Sequence, residues 1–244
     1  MIIDSYKKNK LISVDSVYFA KKTIKSNADI IKYTQSSLTN VGGQDFQSPV
    51  IFLEKTEDSI LASFRKKLRY DIRKIENSDQ VSSSIFYLSD IKEVEKFCAF
   101  FSKFSKIKNI PSCNREMIIR MAKNIVVSWG SFNDSECVCH IYLCDDERMR
   151  LLHSGMILDG KDVSNNYVSN INKFLHKKDI LWAKSEGFTI YDFGGLSLDN
   201  DRLSGINDFK LGFSKTVEKT YNYYYGNTIL GKVVLFVSWL FKSV

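Results

Sequence analysis

Two hydrophobic rhythms alternate along this chain, and one pair of strand-like pieces is separated by nothing but a charged turn. Stretches rich in β-branched and aromatic residues fall at Val50–Glu54, Ser84–Leu88, Val138–Leu143, Met149–Leu158, Phe188–Phe193 and Thr216–Tyr225, which is the composition of strands. Asp145-Asp146-Glu147 joins the third to the fourth, short and polar enough for a hairpin. Between the strands run helical stripes. Leu61, Phe64, Leu68, Ile72 and Ile75 predict one helix over Glu57–Asn77, capped by Thr56 with Glu57 and Asp58 in its positive first turn. Ile91, Val94, Cys98 and Phe101 give a second stripe. Met117, Ile118, Met121 and Ile125 give a third, started by Asn114. Val168, Ile171, Leu175 and Trp182 give a fourth, ended by Gly187. Antiparallel hairpins mixed with helices point to an α+β fold rather than a doubly wound parallel sheet.

The remaining bounds come from composition. With 244 residues, 44% hydrophobic and 13% aromatic, the chain is long and apolar enough to bury a core, which excludes disorder. Five cysteines, an odd number in a chain of this size, suggest a reducing compartment. Cys137-x-Cys139-His140 lacks a second ligand pair at structural-zinc spacing, so no metal is expected. The N-terminal residues carry no apolar core of secretory length, and no apolar run reaches the roughly 18 residues a membrane span needs. The expected location is cytoplasmic. The net charge of +7 favours polyanionic partners such as nucleotide phosphates, RNA or an anionic membrane face.

Three segments could carry chemistry. Arg65, Arg69 and Arg73 recur at i, i+4 and i+8 in the densest charge run, either a solvated basic face or a ladder able to hold phosphate or carboxylate. Phe188-Thr-Ile-Tyr-Asp-Phe-Gly-Gly195 puts Ile190 and Asp192 on one strand face and Tyr191 and Phe193 on the other, before paired glycines that let backbone approach a ligand. Asn200–Ser204 reads as a polar loop, and Phe209-Lys210 then sets one cation beside a ring. Thr228–Val244 holds Val233-Val-Leu-Phe-Val-Ser-Trp-Leu-Phe241 between Lys232 and Lys242. It is either a core element or a helix for a membrane interface.

The run Trp182-Ala-Lys-Ser-Glu-Gly-Phe-Thr-Ile-Tyr-Asp-Phe-Gly-Gly195, followed by Gly205-Ile-x-x-Phe-Lys-x-Gly-Phe213, resembles the Fem-type (FemABX) peptidyl- and aminoacyltransferases, whose fold is the GNAT acyltransferase fold. Asn172-x-x-x-His176 and Leu68-Arg-Tyr-Asp-Ile-Arg-Lys74 add to the resemblance, which covers about residues 59–215. It implies a GNAT-like mixed, mostly antiparallel sheet flanked by helices. An N-terminal, partial GNAT-like extension with the basic helix would occupy residues 1–95 and the acyltransferase core and tail residues 96–244, or the two would form one continuous domain. By similarity Phe209 and Lys210 fall in the acyl-transfer site. Met149–Leu158, the helix near Asn165–Glu186 and Phe188–Phe193 would form a β–α–β unit whose strands splay around the acyl group. His153, Ser154 and Gly155 would then lie near Tyr191 and Asp192, with His153 or Asp192 as the base that an attacking amine requires. Asn172 and His176 share one helix face and would line a pocket or pack. No Arg/Gln-x-x-Gly-x-Gly/Ala pyrophosphate loop is present, so the donor stays open between acyl-coenzyme A and aminoacyl-tRNA.

The first functional reading is therefore an N-acyltransferase. The resemblance suggests as acceptor an amine-bearing sugar nucleotide, or a lipid-linked glycan or peptide precursor of the cell envelope. Catalytic candidates are Lys210, Asp192 and His153; substrate-binding candidates are Arg65, Arg69, Arg73, Asn172, His176, Tyr191 and Phe209. Residues 228–244 would bring the protein to the inner face of the cytoplasmic membrane. The second reading is a non-catalytic basic module binding RNA or anionic lipid.

Overall fold

The computed structural model describes residues 1–39, 43–157, 164–197 and 204–242. In chain order its elements are β1 (Ile2–Lys8), β2 (Ile12–Tyr18), β3 (Ile30–Ser36), β4 (Gln44–Phe52), α1 (Glu57–Ser63), α2 (Lys66–Glu76) and β5 (Val81–Tyr87). Then follow α3 (Ile91–Lys108), α4 (Arg115–Arg120), β6 (Ile125–Phe132), β7 (Ser135–Cys144) and β8 (Arg148–Met156). The last are α5 (Asn165–Ser185), β9 (Ile190–Asp192), α6 (Ser204–Phe213), β10 (Val217–Gly226) and α7 (Ile229–Lys242). This is the expected α+β class: mixed, mostly antiparallel pairing with helices packed on the strands. Leu158 and residues 200–203, the expected strand end and polar loop, lie outside the described residues.

The chain forms two compact units, Pro49–Val217 and Met1–Ser48 with Glu218–Val244. The basic helix α2 therefore lies in the same unit as residues 96–217. The reason is packing: β5 pairs along its length with β6, and Ile60, Phe64, Leu68, Ile72 and Ile75 share one core with Val168, Ile171, Leu175 and Ile180 of α5.

Within Pro49–Val217 the strand order is β4-β9-β8-β7-β6-β5. All neighbours are antiparallel except β8 and β9. The parallel pair is joined through α5, because two parallel strands need a crossover long enough to return the chain. Pairing of β8 with β9 covers only Arg148↔Ile190, Met149↔Tyr191 and Arg150↔Asp192. β8 then continues to Met156 while β9 stops, which is the splay the resemblance implied. In the other unit the order is β1-β2-β3-β10, with β2 and β3 parallel, and Val17, Ala20, Ile31 and Tyr33 form its core.

Local signals account for most element ends. Thr56 accepts from the Ser59 amide, Asn114 from Met117 and Ser164 from Tyr167. Gly187 leaves α5 with a φ of +88°, a conformation costly for any residue with a Cβ. Two expectations fail. The single helix over Glu57–Asn77 is broken at Phe64-Arg65, both extended. Phe64 turns into the core edge-on to Phe213, with ring centroids 5.2 Å apart, and the Arg65 amide donates to the Gly212 carbonyl at 2.9 Å. The third stripe stops at Arg120, and Ile125 opens β6 instead, where it pairs with Leu143.

Candidate functional site

Three side-chain groups in the larger unit bear on function. The first surrounds Lys210. Its Nζ donates to the carbonyls of Gly195 at 2.6 Å and Gly194 at 3.3 Å, so the last turns of α6 close back over the end of β9. Burial pushes the ammonium down to about 8; the Asp192 carboxylate opposes that drop and Arg150 adds to it. Asp192 is fully buried. One of its oxygens accepts from Arg148 Nη1 at 2.5 Å and the other from the Gly194 amide at 2.7 Å. Gly194 has φ +72°, and a Cβ there would lie 2.9 Å from the Leu151 carbonyl. Only glycine allows the chain to cross so close to β8 at this point.

The second group lies on the α5 side of the sheet. His140 and Tyr142 of β7 point toward α5, because alternate residues share a strand face. His140 Nδ1 lies 2.7 Å from Asp179 Oδ2, and its Nε2 is 2.6 Å from Asn172 Oδ1. Tyr142 Oη donates to the same Asp179 oxygen at 2.5 Å and is 2.7 Å from the Tyr191 hydroxyl, which is 2.8 Å from His176 Nδ1. Asn172, His176 and Asp179 fall at i, i+4 and i+7 on α5, one helix face. All six side chains are buried, so their polar atoms depend on partners inside the protein; Asp179 Oδ1 has none among the described residues. Burial raises the Tyr142 and Tyr191 hydroxyls well above their usual range, and the Asp179 carboxylate adds to it. It holds His176 well below its own, helped by His140 and Lys210. His176 is also packed against the rings of Phe193, Phe209 and Phe213, which ties this network to the Phe209-Lys210 corner.

Donor atoms of His140, His176 and Asp179 lie within 4.8 Å of one another. The two imidazoles are stacked, centroids 4.0 Å apart and planes 27° apart. In-plane lone pairs of stacked rings do not converge on one point, and the donors already serve Asn172, Tyr191 and each other. The arrangement is that of a hydrogen-bond network.

The third group is the arginine row, and here the structure departs from the spacing argument. Arg65 precedes α2 and is not part of it, and its guanidinium sits 3.8 Å from Asp208 on α6. Arg69 Nη1 donates to the Ala62 carbonyl at 2.8 Å, bracing the α1–α2 joint. Arg73 borders a cleft of about 80 Å³ with Leu61, Phe64 and Glu76. The helix break, caused by the Phe64 and Gly212 contacts, is why the three do not form one continuous ladder.

His153 is placed away from Asp192. It pairs across from Ile141, on the face opposite Tyr142, and lies against Phe97 and Phe101 of α3, 4.7 Å from the second ring. Burial, with Arg150 beside it, lowers its pKa to about 4. Met149 and Arg150, not His153 to Gly155, stand beside Tyr191 and Asp192, because the strands have already diverged by His153. Sequence reasoning missed His140, Tyr142, Asp179 and Arg148. Asp179 carried the one available signal, a carboxylate three residues from His176 on an apolar helix face.

No protein-family model matches the sequence, and neither does any curated protein. Solved structures do match. FemX superposes with a TM-score of 0.64 over 92% of this chain and 84% of its own, at 12% identity. L-PGS from Bacillus licheniformis gives 0.57 over 98% and 85%, at 11% identity. The C-terminal domain of a putative lysylphosphatidylglycerol synthetase from Agrobacterium fabrum gives 0.55 over 85% and 71%, at 10% identity. The shared property is the fold.

Proposed function

We propose that this protein is an acyl- or aminoacyltransferase acting on an amine of a cell-envelope precursor. The observation that carries the reading is Lys210, a cation sunk at the point where β8 and β9 separate, beside a glycine backbone that no larger residue could replace. The acceptor amine attacks the carbonyl carbon of an activated ester or thioester, forming a C–N bond and a tetrahedral oxyanion. Lys210 supplies positive charge to that oxygen. The C–O or C–S bond to the donor then breaks, and the proton shed by the attacking nitrogen passes to the departing oxygen or sulfur. Asp192, held by Arg148 and the Gly194 amide, acts as a positioning residue for the Gly194-Gly195 turn. Phe209 and His176 would form the wall nearest Lys210, with Tyr191 behind them.

The fold likeness to FemX, and to structures named for lysylphosphatidylglycerol synthesis, favours an aminoacyl cargo from aminoacyl-tRNA, with acyl-coenzyme A as the other donor. An amino-sugar nucleotide or a lipid-linked glycan or peptide precursor is the proposed acceptor, encountered in the cytoplasm. Arg69 and Arg73 would meet its anionic part. The test is to incubate the full chain with charged tRNA or acyl-coenzyme A and each acceptor class, and to look for the amide by mass spectrometry. Lys210→Met should cut turnover by roughly 10²–10³. Absence of amide with both donors overturns the reading; a variant with unchanged turnover removes Lys210 from it.

A further inference from the structure

The unit made of Met1–Ser48 and Glu218–Val244 carries a helix with its apolar side turned outward. Ile229, Val233, Phe236, Val237 and Leu240 of α7 fall at i, i+4, i+7, i+8 and i+11, a stripe about 100° wide, and every one is exposed. Ile229 is 83% exposed, Phe236 60%, and Trp239, at the stripe's edge, 63%. The opposite side, Val234, Leu235 and Ser238, faces Tyr6, Lys8 and Ile12 of the β1–β2 hairpin across a groove of about 500 Å³.

This exposure is built into the fold at the start of the helix. The amides of Asn227 and Thr228 both donate to the Asp29 carbonyl, at 2.9 and 3.3 Å. The Thr228 hydroxyl donates to the Asp29 carboxylate at 2.8 Å and accepts from the Gly231 amide, capping the helix. A Cβ on Gly231 would lie 1.9 Å from the Asp29 carbonyl oxygen, so the first turn is pressed against backbone. The helix direction is thereby fixed, and so is the side that faces out.

We propose that α7 docks this protein on an anionic membrane surface, lying in the interface with the Ile229–Leu240 stripe in the acyl boundary. Charge argues for that occupant. This unit holds ten lysines against five carboxylates, +5 of the chain's +7. Lys7, Lys8 and Lys10 are exposed around Leu11, itself 81% exposed, in the hairpin that borders the groove. Lys232 flanks the stripe and is exposed. An apolar stripe rimmed by lysines with a tryptophan at its edge is what an interfacial helix requires. No helix among the described residues is long and apolar enough to cross a membrane. A second copy fits less well. Fourteen residues make a helix about 21 Å long, a footprint of roughly 200 Å², against roughly 800 Å² per partner in a stable dimer.

The experiment is cosedimentation of the full chain with vesicles of phosphatidylglycerol and phosphatidylcholine, and with phosphatidylcholine alone. It needs no turnover, so its result is independent of the transferase reading. The protein should sediment with the anionic vesicles at low salt, with the Trp emission shifted blue, and leave them as salt rises. Val233→Ser/Phe236→Ser/Leu240→Ser should weaken partitioning at least ~10-fold. Gln at Lys7, Lys8 and Lys10 should cost roughly 5-fold per lysine. Ile107→Ser, an equally exposed apolar residue on α3, should change nothing. A full chain that stays in the supernatant at low salt overturns the proposal. So does an Ile107→Ser loss matching the triple variant. A dimer in sedimentation equilibrium that the triple variant abolishes assigns the stripe to a second copy instead.

Discussion

Lys210→Met separates a residue kept for chemistry from one kept for packing, and the structure fixes both the size and the sign of the effect. Burial lowers the Lys210 pKa from 10.5 to about 8, which at ~1.36 kcal/mol per unit means that carrying the charge costs the folded state roughly 3 kcal/mol. A folded pKa below the unfolded one gives a penalty fully present below pH 8, lifted as pH rises from 8 to 10.5, because there the unfolded chain still holds the proton. Methionine removes the penalty but leaves the Gly194 and Gly195 carbonyls without their donor, at ~1 kcal/mol each. At pH 7 the variant should therefore match or exceed the parent by roughly 1 kcal/mol. Toward pH 10 the order should reverse, since the parent then keeps two hydrogen bonds to an uncharged amine. Urea unfolding of both proteins at a series of pH values measures the difference directly, and other titrating groups cancel in it. A variant less stable by 3 kcal/mol or more at pH 7, with a gap that does not move with pH, would refute the argument and make Lys210 a structural strut.

Gly194→Ala should destabilise by roughly 2–3 kcal/mol, from its positive φ and the contact with the Leu151 carbonyl. Gly205→Ala, with nothing within 4 Å, should be silent in the same melts. Tyr142→Phe leaves Asp179 and Tyr191 each short of a partner and should cost about 2 kcal/mol; Asp179→Ala should cost more, because it leaves both His140 Nδ1 and Tyr142 Oη without their buried partner. Equilibrium unfolding distinguishes these from a surface role, which would cost almost nothing. His153 has a folded pKa of about 4, below its unfolded value, so its neutral form supports the fold above about pH 6.5 and that support is lost as pH falls toward 4. His153→Phe should blunt this acid loss by up to roughly 3 kcal/mol and leave turnover intact.

What the sequence disclosed was whatever rests on a few neighbouring residues. Thr56, Asn114 and Gly187 mark helix ends because a cap or a left-handed residue acts within one turn. The Tyr191/Phe193 and Asp192 faces follow from strand alternation alone. The break at Phe64-Arg65 was invisible, since neither residue is a breaker and the cause is Gly212, almost 150 positions away. The strands β1 to β3 escaped because polar residues interrupt their apolar ones. The His140–Asp179 and Tyr142–Tyr191 pairings stayed hidden for the same reason as the break: their partners lie 39 and 49 residues apart, and only the register of β7 against α5 and β9 brings them together.

The shortest strand of the larger unit lies inside its sheet and not at an edge. β9 has three residues, yet β4 and β8 cover its two edges, and Tyr191 and Asp192 are fully buried. Amide protons exchange when their hydrogen bonds open, so protection follows position in the sheet more than strand length. The Phe193 amide, bonded to the Pro49 carbonyl, should exchange among the slowest in this unit, while the longer outer strand β5 exchanges early. Tyr191 and Asp192 would then stay in register through partial openings that release the sheet's margin, and the corner around Lys210 would be among the last parts of the molecule to lose its shape.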